Sequence, residues 1–211
     1  MKKLLISLLL LITTQAQALH VQNEEIGIDI DTKKVSHIVG ELTVEFLVKW
    51  KQELFNTRGL PGERVVVISS PGGLVSVADE VTLDIENERA KGVKMICAVI
   101  HEASSGAFNI LSHCDVRLAT RDTKMLAHKT RRAGMFGSLT ARQCRKLANE
   151  IDKIDAPLRA LNIKEMHVTP KEYDRRADNE MFWTAEELHA RGYIHGFVKT
   201  ETKKQGIGEN K

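Results

Sequence analysis

No block of like charge interrupts this chain. Its formal net charge is +3, with Lys and Arg interspersed among Asp and Glu, which argues against a nucleic-acid surface. No nucleic-acid partner is therefore expected. Cysteine is sparse as well: Cys97, Cys114 and Cys144 are the three present, none at zinc-ligand spacing, and neither a metal nor another cofactor is expected. There is no internal repeat and no low-complexity linker, which leaves one domain. No apolar run reaches the roughly 20 residues that a membrane-spanning helix requires.

The longest apolar run sits at the start. Lys2 and Lys3 precede Leu4 to Ile12, and Ala16-Gln17-Ala18 follows as a small-x-small cleavage site. That order predicts a secretory signal peptide over residues 1–18, and an exported, periplasmic location. No cysteine follows the run, which argues against a lipid anchor. Cleavage after Ala18 would leave 211 − 18 = 193 residues, enough for one compact domain with a real core. Residues 19–34 read as an N-terminal segment, 35–199 as the folded domain and 200–211 as a polar, frayed tail.

Within the domain, helical and strand patterns alternate. Leu42, Phe46, Leu47 and Leu54 recur at helical spacing with charges between them, so the spacing predicts a helix. "RVVVISS" is a short β-branched run that suits a buried parallel strand. The helical "LVSVADEVTLDIENERAKG" follows and ends on a glycine stop. "VKMICAVI" predicts a second strand, Ser104 to Ser112 a short helix and "DVRLA" a third strand. A long amphipathic helix is predicted from Ser138 to Asn162, kinked at Pro157. Strand and helix in alternation imply right-handed crossovers and a parallel sheet, hence an α/β fold.

In such sheets, chemistry collects at the carboxyl ends of the strands. Two small-residue turns occupy that position: "SSPGG" after the first strand and "EASSGA" after the second. Gly72 and Gly73 allow a sharp turn that exposes backbone amides, as an oxyanion site requires. A serine opening the next helix is either a nucleophile or a cap. Taken alone, "ASSGA" suits the cap.

Four segments in order change that balance. "ISSPGG", "EASSGAF", "MLAHKT" and "MFWTAEELHARGYIHGFV" together resemble the ClpP-like serine peptidases of the ClpP/crotonase superfamily, over about Val35 to Val198. The resemblance implies a ClpP/crotonase-like fold of parallel sheet layers with flanking helices. It implies a serine endopeptidase acting on peptides or unfolded protein segments through an acyl-enzyme. In its register, Ser104 is the nucleophile and His128 the general base, with the Gly73 and Ser105 amides as the oxyanion hole. The family's aspartate falls on Glu180, with Asp178 two residues earlier as the alternative. His101 and His113 hold no catalytic position and read as structural. His195 stands where the family has an aspartate.

The resemblance also bears on partners. Cytosolic members work with an ATP-driven unfoldase, whereas the periplasm has no ATP supply, so no ATPase partner is expected. The exported signal peptide peptidase A branch uses a lysine base, for which Lys124 and Lys129 stand near; His128 fits the register better. The long helix corresponds to the family's ring-contact helix, which implies a homo-oligomer. Two other readings remain: a catalytically inactive ClpP-like scaffold or binding module, and a crotonase-type acyl-thioester enzyme.

Cys97 lies in the second strand and Cys114 just before the third. A parallel crossover returns the chain to the starting end of the sheet, which brings Cys114 near the level of Cys97. A disulfide needs Cα atoms roughly 4.4–6.8 Å apart, and export permits oxidation. Two buried free thiols are the other reading. With the bridge, Cys144 is the odd thiol.

Overall fold

The structure is a computed structural model, and it describes residues 25–26, 34–57, 62–131 and 138–198. The expected signal peptide over 1–18 and the tail over 200–211 lie outside the described residues. In chain order the elements are β1 (Glu25–Ile26), β2 (Val35–Val39), α1 (Val44–Asn56), β3 (Glu63–Ser70), α2 (Val75–Ala90), β4 (Lys94–Ser104) and α3 (Gly106–Ser112). They continue with β5 (Val116–Ala119), β6 (Lys124–Leu126), α4 (Ala141–Glu165), α5 (Pro170–Asp178), β7 (Trp183–Thr184), α6 (Ala185–Ala190) and β8 (Gly196–Val198).

The main sheet runs β1-β8-β5-β4-β3-β2, and every pairing along it is parallel. Parallel strands buried on both faces need continuous apolar runs, which is why Glu63–Ser70 reads "ERVVVISS" and Lys94–Ser104 carries Met95 to Ile100. Val66, Ile68, Met95, Cys97 and Val99 face the larger core, which also holds Trp50, Val81, Ile85 and Phe108 from the helices. Val65, Ile96, Ala98 and Leu118 form a smaller cluster on the other face.

β4 serves two partners. Its first half pairs with β5 over Ile96–Val99, and its second half pairs with β6 over Glu102–Ser104. Between them the register against β3 slips, from Ile68 opposite Val99 to Ser70 opposite Ala103, and His101 has a φ of 76°. Such a bulge bends the strand. It leads the end of β4 out of the main sheet and toward β6, which β7 extends in antiparallel fashion.

The long helix α4 starts at a full capping box, with Thr140 and Gln143 bonding reciprocally, as the S/T-x-x-E/Q pattern dictates. It runs through Pro157 to Glu165, three residues past the expected end at Asn162. Pro157 and Lys153 are both exposed, so the carbonyl that proline leaves without a donor can be hydrated. Buried Asn162 ties α4 to α3 and to its neighbours: it accepts from Ser112 Oγ at 2.9 Å and donates to the Tyr173 hydroxyl at 3.1 Å. Cys97 and Cys114 are joined by a disulfide, Cα atoms 6.0 Å apart, and Cys144 is an exposed free thiol.

Candidate active site

Both small-residue turns meet at one cavity. The β3–α2 turn is fixed first: Ser70 Oγ donates to the Gly40 carbonyl at 2.6 Å and accepts the Gly72 amide at 3.1 Å. Leu42 then pins the next stretch, its amide on the Gly72 carbonyl at 2.8 Å and its carbonyl on the Leu74 amide at 2.9 Å. In a parallel bridge those two bonds lie on one side, so the intervening Gly73 turns its own N–H the other way. The φ values of +92° at Gly72 and +153° at Gly73 require glycine.

The β4–α3 turn is sharper. Ser105 precedes α3 at φ 56°, ψ −125°, a region sparsely populated for a side-chain-bearing residue and one where backbone strain gathers at functional sites. Its amide donates to the Leu126 carbonyl at 2.7 Å, extending the β4–β6 ladder by one bond. Ser105 lines a cavity of about 640 Å³ with Gly73, Gly106, Asn109 and His128. Among the described residues, neither the Gly73 nor the Gly106 amide has an acceptor.

Ser104 sits elsewhere. It is the last residue of β4, 3% exposed, and its Oγ donates to Glu102 Oε1 at 2.6 Å. The residue expected as nucleophile is thus engaged in a side-chain pair, while its neighbour Ser105 is the one that lines the cavity. The Ser105 amide, expected as an oxyanion donor, is spent on Leu126. The turn is the reason: β4 ends at Ser104, and at the positive φ of Ser105 the chain leaves the ladder and enters α3.

His128 lies two residues beyond β6, which brings it to the Ser105 end of β4. Its Nδ1 bonds the Lys129 carbonyl at 2.7 Å. A carbonyl only accepts, so Nδ1 is the donor, and the neutral tautomer this bond selects carries its lone pair on Nε2. Neither expected carboxylate reaches the ring. Asp178 is paired with Lys129 at 2.6 Å, and Glu180, at φ 50°, is paired with Arg131. The same Asp178 contact holds the Lys129 ammonium above its ordinary pKa, which disqualifies it as a base; Lys124 lies exposed in β6.

The other expected positions fall outside the cavity. His113 bonds Glu86 at 2.9 Å, and His101 forms the β4 bulge. His195 accepts the Arg117 amide on Nδ1 at 2.9 Å, and its own amide bonds the Arg117 carbonyl at 2.7 Å. Burial, aided by the Arg117 charge, lowers the His195 pKa. It is a neutral strand-joining acceptor.

A family model of the Clp protease matches residues 57–201, more than half of the chain. The chain belongs to the Clp protease family. Its parallel sheet with flanking helices is the ClpP-like fold, and the family supports a peptidase-type function. A search of the curated proteins finds no match.

Three further residues stand beside Ser105 or His128 in the cavities they line without having been singled out in the sequence. Gly106 directly follows Ser105 and lines the same cavity. Asn109, four residues after Ser105 on one face of α3, had a readable signal in that spacing. Asp155 had none. It comes from mid-α4, 25 residues away from Thr130 whose amide it accepts.

Proposed function

We propose that this Clp protease family member is an exported, ATP-independent serine endopeptidase that cleaves peptides or unfolded segments and assembles as a homo-oligomer. Ser105 is its nucleophile. The observation that carries the reading is that Ser105, at its positive-φ turn, lines one cavity with His128, Gly73 and Gly106. In the reaction His128 Nε2 takes the Ser105 proton as Oγ attacks the substrate carbonyl. The Gly73 and Gly106 amides bind the resulting oxyanion. The protonated His128 then gives its proton to the leaving amine, and water repeats the sequence to release the acyl group. Export rests on Lys2, Lys3, the Leu4–Ile12 run and Ala16-Gln17-Ala18. ATP independence follows from that location.

The register from resemblance alone keeps Ser104 as nucleophile, with Glu180 or Asp178 behind His128. A fluorophosphonate label separates the two. Labelling of the mature protein lost in Ser105→Ala and kept in Ser104→Ala supports Ser105; the reverse restores Ser104. A second reading, an inactive ClpP-like scaffold, draws on the capture of Asp178 and Glu180 by Lys129 and Arg131. It predicts no serine-specific labelling and no hydrolysis of casein or fluorogenic peptides.

A further inference from the structure

One peptide unit connects His128 to a carboxylate that no reading of the sequence picks out. The carbonyl of the Lys129–Thr130 peptide accepts the His128 Nδ1–H at 2.7 Å. The N–H of that same peptide, on Thr130, donates to both oxygens of Asp155, at 3.0 and 3.2 Å. Asp155 is half-buried on α4 and shares with His128 a small side chamber of about 40 Å³.

We propose that Asp155 is the positioning residue for His128, acting through the Lys129–Thr130 peptide in the role that the resemblance assigns to Glu180 or Asp178. The proposal rests on the serine peptidase reading above. Two consequences follow from the chain of bonds. The first is geometric: fixing both ends of the peptide fixes the Lys129 carbonyl, hence the ring tautomer and the direction of Nε2. The second is electrostatic. Hydrogen bonds in series polarise one another, so a carboxylate pulling on the Thr130 N–H makes the Lys129 carbonyl a stronger acceptor. That strengthening matters most when His128 becomes positive in the transition state.

The other charges around the chamber are already committed. Asp174 makes a bidentate pair with Arg159 at 2.6 and 2.7 Å, and Lys129 is held by Asp178. Asp155 has no ion-pair partner among the described residues, so its charge is the one left facing the peptide.

The test uses Asp155→Asn and Asp155→Ala in the mature protein, beside Asp178→Asn and Glu180→Gln. Asn keeps an acceptor for the Thr130 amide and removes the charge; Ala removes both. With a fluorophosphonate, Ser105 Oγ bonds to phosphorus, fluoride leaves, and the serine proton passes to His128. The rate constant of that phosphonylation should fall about tenfold in Asp155→Asn and further in Asp155→Ala, whereas Asp178→Asn and Glu180→Gln stay within about twofold. With a peptide substrate the loss should fall on kcat and leave KM unchanged. An activity-independent readout accompanies these rates: ring ¹⁵N spectra should show His128 protonated at Nδ1, with that proton's resonance moving upfield in Asp155→Asn. An Nε2-protonated ring, an unmoved resonance, or a greater loss in Asp178→Asn or Glu180→Gln than in Asp155→Asn would overturn the relay. If the wild-type protein takes no label, the peptidase reading fails, and the ring spectra still decide the relay.

Discussion

Gly72 lies against Ser105 so closely that a Cβ placed on Gly72 would stand 2.6 Å from the Ser105 Cβ and 2.6 Å from the Ser104 carbonyl oxygen. The two turns of the site are therefore packed backbone to backbone, and the strained Ser105 conformation is held from below. Gly72→Ala meets a clash and a positive φ together. It should destabilise the fold by about 1–3 kcal/mol and slow phosphonylation of Ser105 more than tenfold. Urea denaturation and fluorophosphonate kinetics on the same variant check both. A variant with normal kinetics would mean that the contact does not set the position of Ser105.

The two adjacent serines should behave differently. Ser105→Ala removes the hydroxyl in the cavity and should lower hydrolysis by about 10³-fold or more. Ser104→Ala removes the donor to Glu102 and should cost about 1 kcal/mol of stability with a rate change under tenfold. Chemical denaturation and peptide hydrolysis of both variants measure the contrast.

The sheet was legible because its signal is a local one: "RVVVISS" and "VKMICAVI" are apolar runs of strand length, and a parallel strand buried on both faces has no other pattern. The glycine turn was legible for a similar reason, since Gly72 and Gly73 do what no other residue can. Which of the two serines lines the cavity was not. Whether Ser104 or Ser105 lines the cavity depends on where the β4–β6 ladder ends and the chain turns into α3. Nothing within "EASSGAF" encodes that ladder, because its partner is Leu126. The surroundings of His128 were hidden by distance as well: Asp155 reaches Thr130 only because α4 crosses behind the segment after β6. Helical periodicity marks Asp155 as one more polar position on an amphipathic helix.

The disulfide supports the element that carries the site. It ties β4 to the end of α3, across a sequence separation of 17 residues. A loop of that size is worth roughly 3 kcal/mol in the chain-entropy account, which corresponds to about 10 °C in the unfolding midpoint. Reduction, or Cys97→Ala with Cys114→Ala, should lower the midpoint by that order. Cys144→Ser, at an exposed position on α4, should leave it in place. Equal midpoints with and without reductant would show that the bridge contributes nothing to stability.

Arg64 and Glu88 form the ion pair buried deepest among the described residues, 3.0 Å apart with side-chain exposures of 2% and 4%. Arg64 also donates to the Thr57 carbonyl at 2.6 Å, and Lys91 stands 2.8 Å from the other Glu88 oxygen. Burial works to raise the Glu88 pKa, but the Lys91 and Arg64 contacts outweigh it, and the group is held below its ordinary value. A carboxyl depressed in this way contributes stability that is fully present above its unfolded pKa of about 4.3. That contribution is lost as pH falls through the lower folded value. Arg64→Met keeps the apolar stem and leaves a buried carboxylate with one partner, so it should destabilise the protein by about 3 kcal/mol at neutral pH. In acid Glu88 takes up a proton, the uncompensated charge disappears, and the gap between variant and wild type should narrow. Urea unfolding of both proteins at pH 7 and at pH 4 measures that gap. A gap of equal size at the two values would assign the loss to packing around the guanidinium and not to charge.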